Sequence, residues 1–198
     1  EEYKYFNGQI LFTYLHLAGV DKNLTLKLLS TNTTAIAYES VADEHGNLPL
    51  LSPMSAIAGN MAITIGSYYL QYAGDLRGSG VQLGTINGNT SGNVVVVGDG
   101  VVGRHAAKMA SGMGSNVTLL GLELARMFEC QKYFGEGNGV TYRKSTKENL
   151  EYYIKNADLV VGAVSIPGKK APVVVTEDMV RSMRNGSVIV DVSIDQGG

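Results

Sequence analysis

The chain has 198 residues, of which 44% are hydrophobic and 17% charged, and its formal net charge is −2. That balance describes a globular protein with a sizeable core and excludes an intrinsically disordered chain and a basic nucleic-acid footprint. One cysteine, Cys130, and three histidines, His16, His45 and His105, exclude an internal disulfide, a cysteine-rich metal site and a zinc-binding histidine cluster, so no metal is expected.

The chain opens at Glu1 with acidic residues, and no apolar core with a small-residue cleavage site comes after them, so no secretory signal is expected. Residues 9–15 (QILFTYL) and 34–38 (TAIAY) read as buried strands rich in β-branched and aromatic residues. Between them a helix is predicted, opened by Asp21 and carrying Leu24 and Leu28 on one face. One strand–helix–strand unit cannot cover its own sheet, so residues 1–50 are expected to be part of a larger α/β domain. Ser52 and Pro53 signal a helix start, with serine as N-cap and proline in the first turn. Met54, Ile57, Ala58, Met61, Ile65 and Tyr68 continue that helix. Its window is the most hydrophobic in the chain, but Ser55, Gly59, Asn60, Thr64, Gly66 and Ser67 make it too polar to span a membrane. A cytoplasmic protein is expected. The small residues of this helix suit close packing, so that self-association through it is one reading of the chain, and a homo-oligomer is expected. Residues 74–92, with a glycine every few positions, are expected to form a loop, so that 51–92 links two domains.

Residues 93–114 (NVVVVGDGVVGRHAAKMASGMG) organise the remainder of the chain. Val94 to Val97 suit a strand buried on both faces of a parallel sheet. Gly98, Gly100 and Gly103 form G-x-G-x-x-G, and Val102, Ala106, Met109 and Ala110 begin a helix. The first glycine makes a tight turn, the second admits a pyrophosphate to the backbone, and the third lets helix and strand pack closely. The helix N-terminus then supplies N–H donors and partial positive charge. A dinucleotide site is expected here.

From this point strands and helices alternate. Strands are predicted at 116–120, 139–142, 158–164 and 187–192. A helix runs through Phe134, a second is opened by the Ser145/Glu148 capping box, and a third by Thr176, with Arg181 and Arg184 in its last turn. The pattern implies an α/β fold with a right-handed, doubly wound parallel sheet of Rossmann type over 93–198. Ligands bind such sheets beyond the carboxyl ends of the strands, which picks out Gly98 to Gly103, Gly121, Ser145, Val164 to Gly168 and Ser193 to Gly198. His45 and His105, like Lys169 and Lys170, read as solvated.

Several separated blocks then match one family. The blocks are LFTYLHLA (11–18), AIAYE (35–39), LPLLSPMSAIAG (48–59), VVVVGDGVVG (94–103), DLVVGAVSIPGKKAP (158–172) and GSVIVDVSIDQGG (186–198). Together they resemble the alanine dehydrogenases, which are related to the nucleotide-binding subunit of proton-translocating transhydrogenases. The resemblance implies NAD as cofactor and the reversible oxidative deamination of L-alanine to pyruvate and ammonia. It implies catalytic roles for His16 and Asp195, pocket positions for Tyr14 and Met54, and cofactor contacts at Ser55, Ser145, Val164 and Asp195 beside Gly98, Gly100, Val102 and Gly103. A histidine titrates near neutral pH and suits the proton transfers. A carboxylate suits the charge that develops on water or ammonia.

Two departures carry expectations of their own. In the family a substrate-carboxylate clamp, an arginine and a lysine, precedes the first matching block, so little turnover is expected of these 198 residues, and an NAD(H)-binding or oligomerising relative is the alternative. The family's second strand also ends in an aspartate that holds the adenosine ribose, where this chain has Gly121. Glu123 lies two residues on, and Arg126 is the one basic residue at hand. Poor ribose selectivity is therefore expected, and restoring an acid at 121 is expected to tighten NADH.

Overall fold

The computed structural model describes residues 2–17, 22–135, 139–165 and 171–194. The chain divides into two compact units, Glu1–Met54 and Ser55–Gly198. The first holds strands β1 (Ile10–Thr13) and β2 (Thr34–Ala37), which pair in parallel, with helix α1 (Lys22–Ser30) between them. The predicted opening residue of α1, Asp21, lies outside the described residues. These strands were expected to be buried, but alternate residues face outward: Ile10, Phe12 and Ile36 are exposed. A two-stranded sheet with one crossover helix can cover only one of its faces.

Helix α2 (Ser52–Tyr69) leads into the second unit and is followed by a hairpin, β3 (Gly84–Ile86) and β4 (Asn89–Ser91). The hairpin corrects the expectation of a loop over 74–92. Its turn is Asn87–Gly88, both at positive φ (50° and 79°), the residue pair that a two-residue hairpin turn prefers. The main sheet comprises β5 (Asn93–Val97), β6 (Asn116–Gly121), β7 (Val140–Lys144), β8 (Leu159–Gly162) and β9 (Val188–Asp191) in the order β7-β6-β5-β8-β9, all parallel. Helices α3 (Val101–Met113), α4 (Leu124–Phe134), α5 (Lys147–Lys155) and α6 (Glu177–Ser182) complete the doubly wound α/β fold.

The valine run of β5 explains the central position of that strand. Val94 and Val96 pack on one face with Ala62 and Ile63 of α2, with Leu70 just beyond it, and with Ala106, Ala107 and Ala110 of α3. Val95 and Val97 pack on the other with Leu150 and Ile154 of α5 and Met179 of α6. All four valines are at most 3% exposed. The small residues of α2 serve this packing within the chain. A Cβ on Gly59 would meet the Val102 carbonyl and lie 3.0 Å from Ala106 N, and one on Gly66 would press on Leu159.

Element ends shift from the sequence reading by a residue or two. Thr146, not Ser145, caps α5 and accepts from Asn149 N at 3.3 Å, while Ser145 N donates to the Gly121 carbonyl at 2.7 Å. Thr176 caps α6 as expected. Arg184 lies beyond that helix and reaches the buried carboxylate of Asp158 at 3.4 Å. No described helix is long and apolar enough to cross a membrane.

Candidate dinucleotide site

Strand β5 ends at the centre of the sheet, where the chain first builds to one side through β6 and β7 and then returns to the other through β8 and β9. That reversal opens the crevice in which such sheets bind ligands. Gly98 N donates to the Leu120 carbonyl at 2.9 Å and Ala163 N to the Val97 carbonyl at 2.8 Å, so the glycine turn is anchored to both neighbouring strands. Gly98 has φ +113°, and a Cβ there would lie 2.6 Å from the Ala163 carbonyl carbon. A Cβ on Gly103 would strike the Gly98 carbonyl. Gly100 differs: nothing lies within 4 Å of its Cβ position, and it is the N-cap of α3 without any side-chain cap. The first N–H groups of a helix lack intrahelical partners. The turn therefore presents donors, a dipole end and open space together, which fits a pyrophosphate.

The other sequence-predicted residues of this unit stand around the turn or further along the sheet. Val102 is in the first turn of α3 and Ser55 in the first turns of α2, both partly buried. Ser145 sits against Gly121 at the end of β6. Val164 lines a cavity of about 170 Å³ with Val97, Gly162, Asp191 and Ser193, at the carboxyl ends of β5, β8 and β9. A larger cavity of about 580 Å³ runs along the edge strand β9 against Ile65, Tyr69 and Arg77, away from the turn. Asp195, Lys169 and Lys170 lie outside the described residues. His105 was expected to be solvated; it is half-buried, its Nε2 is 3.4 Å from the Tyr133 hydroxyl, and burial, then Lys108 and Arg104, lower its pKa. Among the described residues no cluster of His, Cys, Asp and Glu is placed to hold a metal ion.

Asp99, the residue between the first two glycines, was not singled out by the sequence. Its side chain is 9% exposed, with Oδ1 3.8 Å from Arg126 Nη1 and Oδ2 buried without a hydrogen-bond partner among the described residues. A Cβ on Gly121 would lie 2.8 Å from Asp99 Cγ and 3.1 Å from Asp99 Cβ. An acid added at 121, expected to tighten NADH, would meet the Asp99 carboxylate unless that side chain turns aside.

In the first unit, His16 follows β1 with its backbone in the left-handed region, φ 45°. Left-handed backbone is uncommon for a residue with a side chain and needs surrounding contacts to hold it. The Glu39 carboxylate supplies them, accepting His16 N at 2.7 Å and Leu15 N at 3.1 Å. Burial would raise the Glu39 pKa, but the backbone donors of His16 and Leu15 and the neighbouring imidazole outweigh it and hold the carboxyl below its ordinary range. Tyr14 stacks on His16, with ring centroids 5.7 Å apart, and its hydroxyl lies 3.4 Å from Nδ1. Tyr38 donates to Met54 Sδ at 3.9 Å and packs beside Tyr14. Tyr14, His16 and Met54 were named from the sequence. Glu39 and Tyr38 were not, although both stand in the matching block 35–39.

Two family models match the chain: "Alanine dehydrogenase/PNT, N-terminal domain" over residues 1–58 and "Alanine dehydrogenase/PNT, C-terminal domain" over 62–198. The chain belongs to the alanine dehydrogenase/PNT family. It is 48% identical over 200 residues to an alanine dehydrogenase of Staphylococcus haemolyticus, covering all of this chain and 52% of that protein. It is 51% identical over 191 residues to one from Methanococcus maripaludis, covering 96% of this chain and 50% of the relative. It thus spans about half the length of the curated relatives it matches. A solved L-alanine dehydrogenase superposes over the whole chain with TM-score 0.86 at 43% identity, covering 54% of that structure. A transhydrogenase from Sinorhizobium meliloti shares the fold, with TM-score 0.72 at 23% identity over 96% of this chain and 54% of the other. The resemblance read from the six sequence blocks is thereby borne out at family level.

Proposed function

We propose that this alanine dehydrogenase/PNT chain serves the NAD-dependent, reversible oxidative deamination of L-alanine, in which L-alanine, NAD+ and water give pyruvate, ammonium, NADH and a proton. The observation that carries the reading is the glycine turn, where Gly100 leaves open space over the uncapped N-terminus of α3. Bound there, the nicotinamide cofactor supplies the hydride acceptor. Gly98, Gly100, Val102 and Gly103 hold the pyrophosphate. Ser145 serves the adenosine side, Val164 the nicotinamide side, and Ser55 and Asp195 are further cofactor contacts. His16 takes and returns the proton that moves at the substrate nitrogen and carbinol oxygen, with Tyr14 at its Nδ1 and Glu39 fixing its backbone. Asp195 acts with it as the second catalytic group, and Tyr14 and Met54 line the substrate pocket. The assembly is a homo-oligomer in the cytoplasm. The test is NADH formation from L-alanine at alkaline pH beside NADH binding by calorimetry. Little turnover is expected of these 198 residues by themselves, and His16→Ala is expected to lower the rate that is measured by about 10²- to 10⁴-fold, the range of an acid–base group, with NADH affinity retained. Turnover indifferent to that substitution overturns the role of His16, and absence of NADH binding overturns the reading as a whole.

A further inference from the structure

A sheet of this kind normally reads the adenosine ribose with an acid about twenty residues beyond the glycine turn, at the end of the second strand. That place, the last residue of β6, is Gly121. The acid is not missing from the region, however. Asp99 stands in the turn itself, and Gly98 N is bonded to Leu120, so the ends of β5 and β6 lie side by side. Its carboxyl carbon is 2.8 Å from where a side chain on residue 121 would begin. The space in which an acid at 121 would begin is taken by the carboxylate that the turn carries.

Two features of that carboxylate point to a ligand. Its side chain is 9% exposed, yet Oδ2 is buried with no partner among the described residues. Burying a charged oxygen without a hydrogen bond is costly, so such an atom calls for a donor. Oδ1, by contrast, faces the exposed guanidinium of Arg126 at 3.8 Å. Ser145, whose N–H bonds Gly121, borders the same rim. A ribose diol is a donor of the right kind: a pyrophosphate at Gly100 leads its adenosine half toward the end of β6.

We propose that Asp99 is the ribose-reading acid of this chain, transposed from the end of the second strand to the glycine turn, and that it selects NAD(H) over NADP(H). The proposal rests on the reading of the glycine turn as a dinucleotide site. With a turn of the side chain that brings its unpartnered oxygen out from over Gly121, the Asp99 carboxylate accepts from a ribose hydroxyl. A 2′-phosphate in the same place would meet the carboxylate's charge and lack of a donor. Arg126 faces Oδ1 from the exposed side, so a 2′-phosphate would have to compete with Asp99 for it.

The experiment is calorimetric titration of the chain with NADH and with NADPH, with thermal unfolding of each variant as a check on folding. The wild-type chain is expected to prefer NADH. Asp99→Ala and the near-isosteric Asp99→Asn are expected to lower NADH affinity about ten- to a hundredfold, the range for losing a hydrogen bond to a charged group. NADPH affinity is expected to hold or rise as Arg126 is released. Gly121→Asp alone is expected to weaken NADH binding or the fold through its clash with Asp99. The double substitution Asp99→Ala with Gly121→Asp, which moves the acid back to the strand, is expected to recover most of the NADH affinity and the preference over NADPH.

An acid that merely stabilised the mouth of α3 would shift the unfolding temperature and leave the ratio of NADH to NADPH affinity unchanged, which overturns the proposal. So does a folded double variant that fails to recover NADH binding, or a wild-type preference for NADPH. NADH binding that is unaffected by Asp99→Asn sinks this inference and leaves the dinucleotide reading standing, whereas a wild-type chain that binds neither cofactor sinks both.

Discussion

Single residues divide the glycine turn into a structural half and a functional half. Gly103 faces the Gly98 carbonyl, so Gly103→Ala forces strand and helix apart and is expected to cost about 1–3 kcal/mol or more of stability. Gly100 faces open space with φ −70°, a backbone any residue adopts. Gly100→Val is therefore expected to fold within about 1 kcal/mol of wild type, the scale of an N-cap change, while NADH binding is lost. Thermal unfolding and calorimetry separate the two, and a Gly100→Val chain that still binds NADH refutes the cradle. The glycines were legible because their spacing states their geometry. Asp99 was not, because an acid inside the motif is unremarkable until the burial of its oxygen and the space above Gly121 are known. Glu39 makes a similar point in the first unit. Its carboxyl pKa is lower in the folded chain than its ordinary 4.5, so the stability it contributes is complete above that pH and is lost as pH falls through the folded value. Glu39→Gln is expected to lower stability at neutral pH by about 1 kcal/mol, below the usual worth of a hydrogen bond to a charged group because solvent screens this carboxylate. It should also remove that part of the acid dependence in denaturant unfolding. Identical acid profiles for the two chains show that the clamp on His16 does not depend on charge.

Elements were readable where a periodic or capping signal was strong, and misread where the deciding contact was distant. The valines of β5 announced a doubly covered strand, and Thr176 announced α6. The hairpin of β3 and β4 was hidden because its strands are short and polar, although Asn87–Gly88 is a hairpin signal in its own right. The cap of α5 slipped by one residue because Ser145 and Thr146 are both capping types, and Ser145 is drawn off to Gly121 by its own N–H. Helix α2 is the instructive case. Its small residues suggested close packing, and Gly59 and Gly66 use it to approach α3 and β8 within this chain, while Ile57 and Met61 stay exposed. Gly59→Ala is expected to cost about 1–3 kcal/mol by wedging α2 from α3, whereas Asn60→Ala, on the exposed face of the same turn, is expected to stay within about 0.5 kcal/mol. Equal unfolding midpoints for both would mean that α2 gives way without cost.

Across the whole molecule, burial is distributed very unevenly between the two units. The second has a core on each face of a five-stranded sheet, and its central strands β5 and β8 are almost completely buried. In the first, Leu15 and Leu28 are the buried hydrophobic side chains among the described residues, and the sheet has two strands. Opening free energy scales with the apolar surface an element hides, so local opening ranges from near zero to the global value within one chain. The amides of β5, β6 and β8 are therefore expected to exchange slowest and only by global unfolding. Those of β1 and β2 are expected to exchange by local opening with little dependence on denaturant. If His16 acts from this first unit, its geometry is held by an element that opens far more often than the sheet carrying the glycine turn. A saturating dinucleotide is then expected to slow exchange most in the first turn of α3, with β1 and β2 less affected. Hydrogen exchange followed by mass spectrometry, with and without NADH, reads both statements. Uniform protection across β1, β2 and β5 in the free chain would show that the first unit draws its stability from something other than its own core.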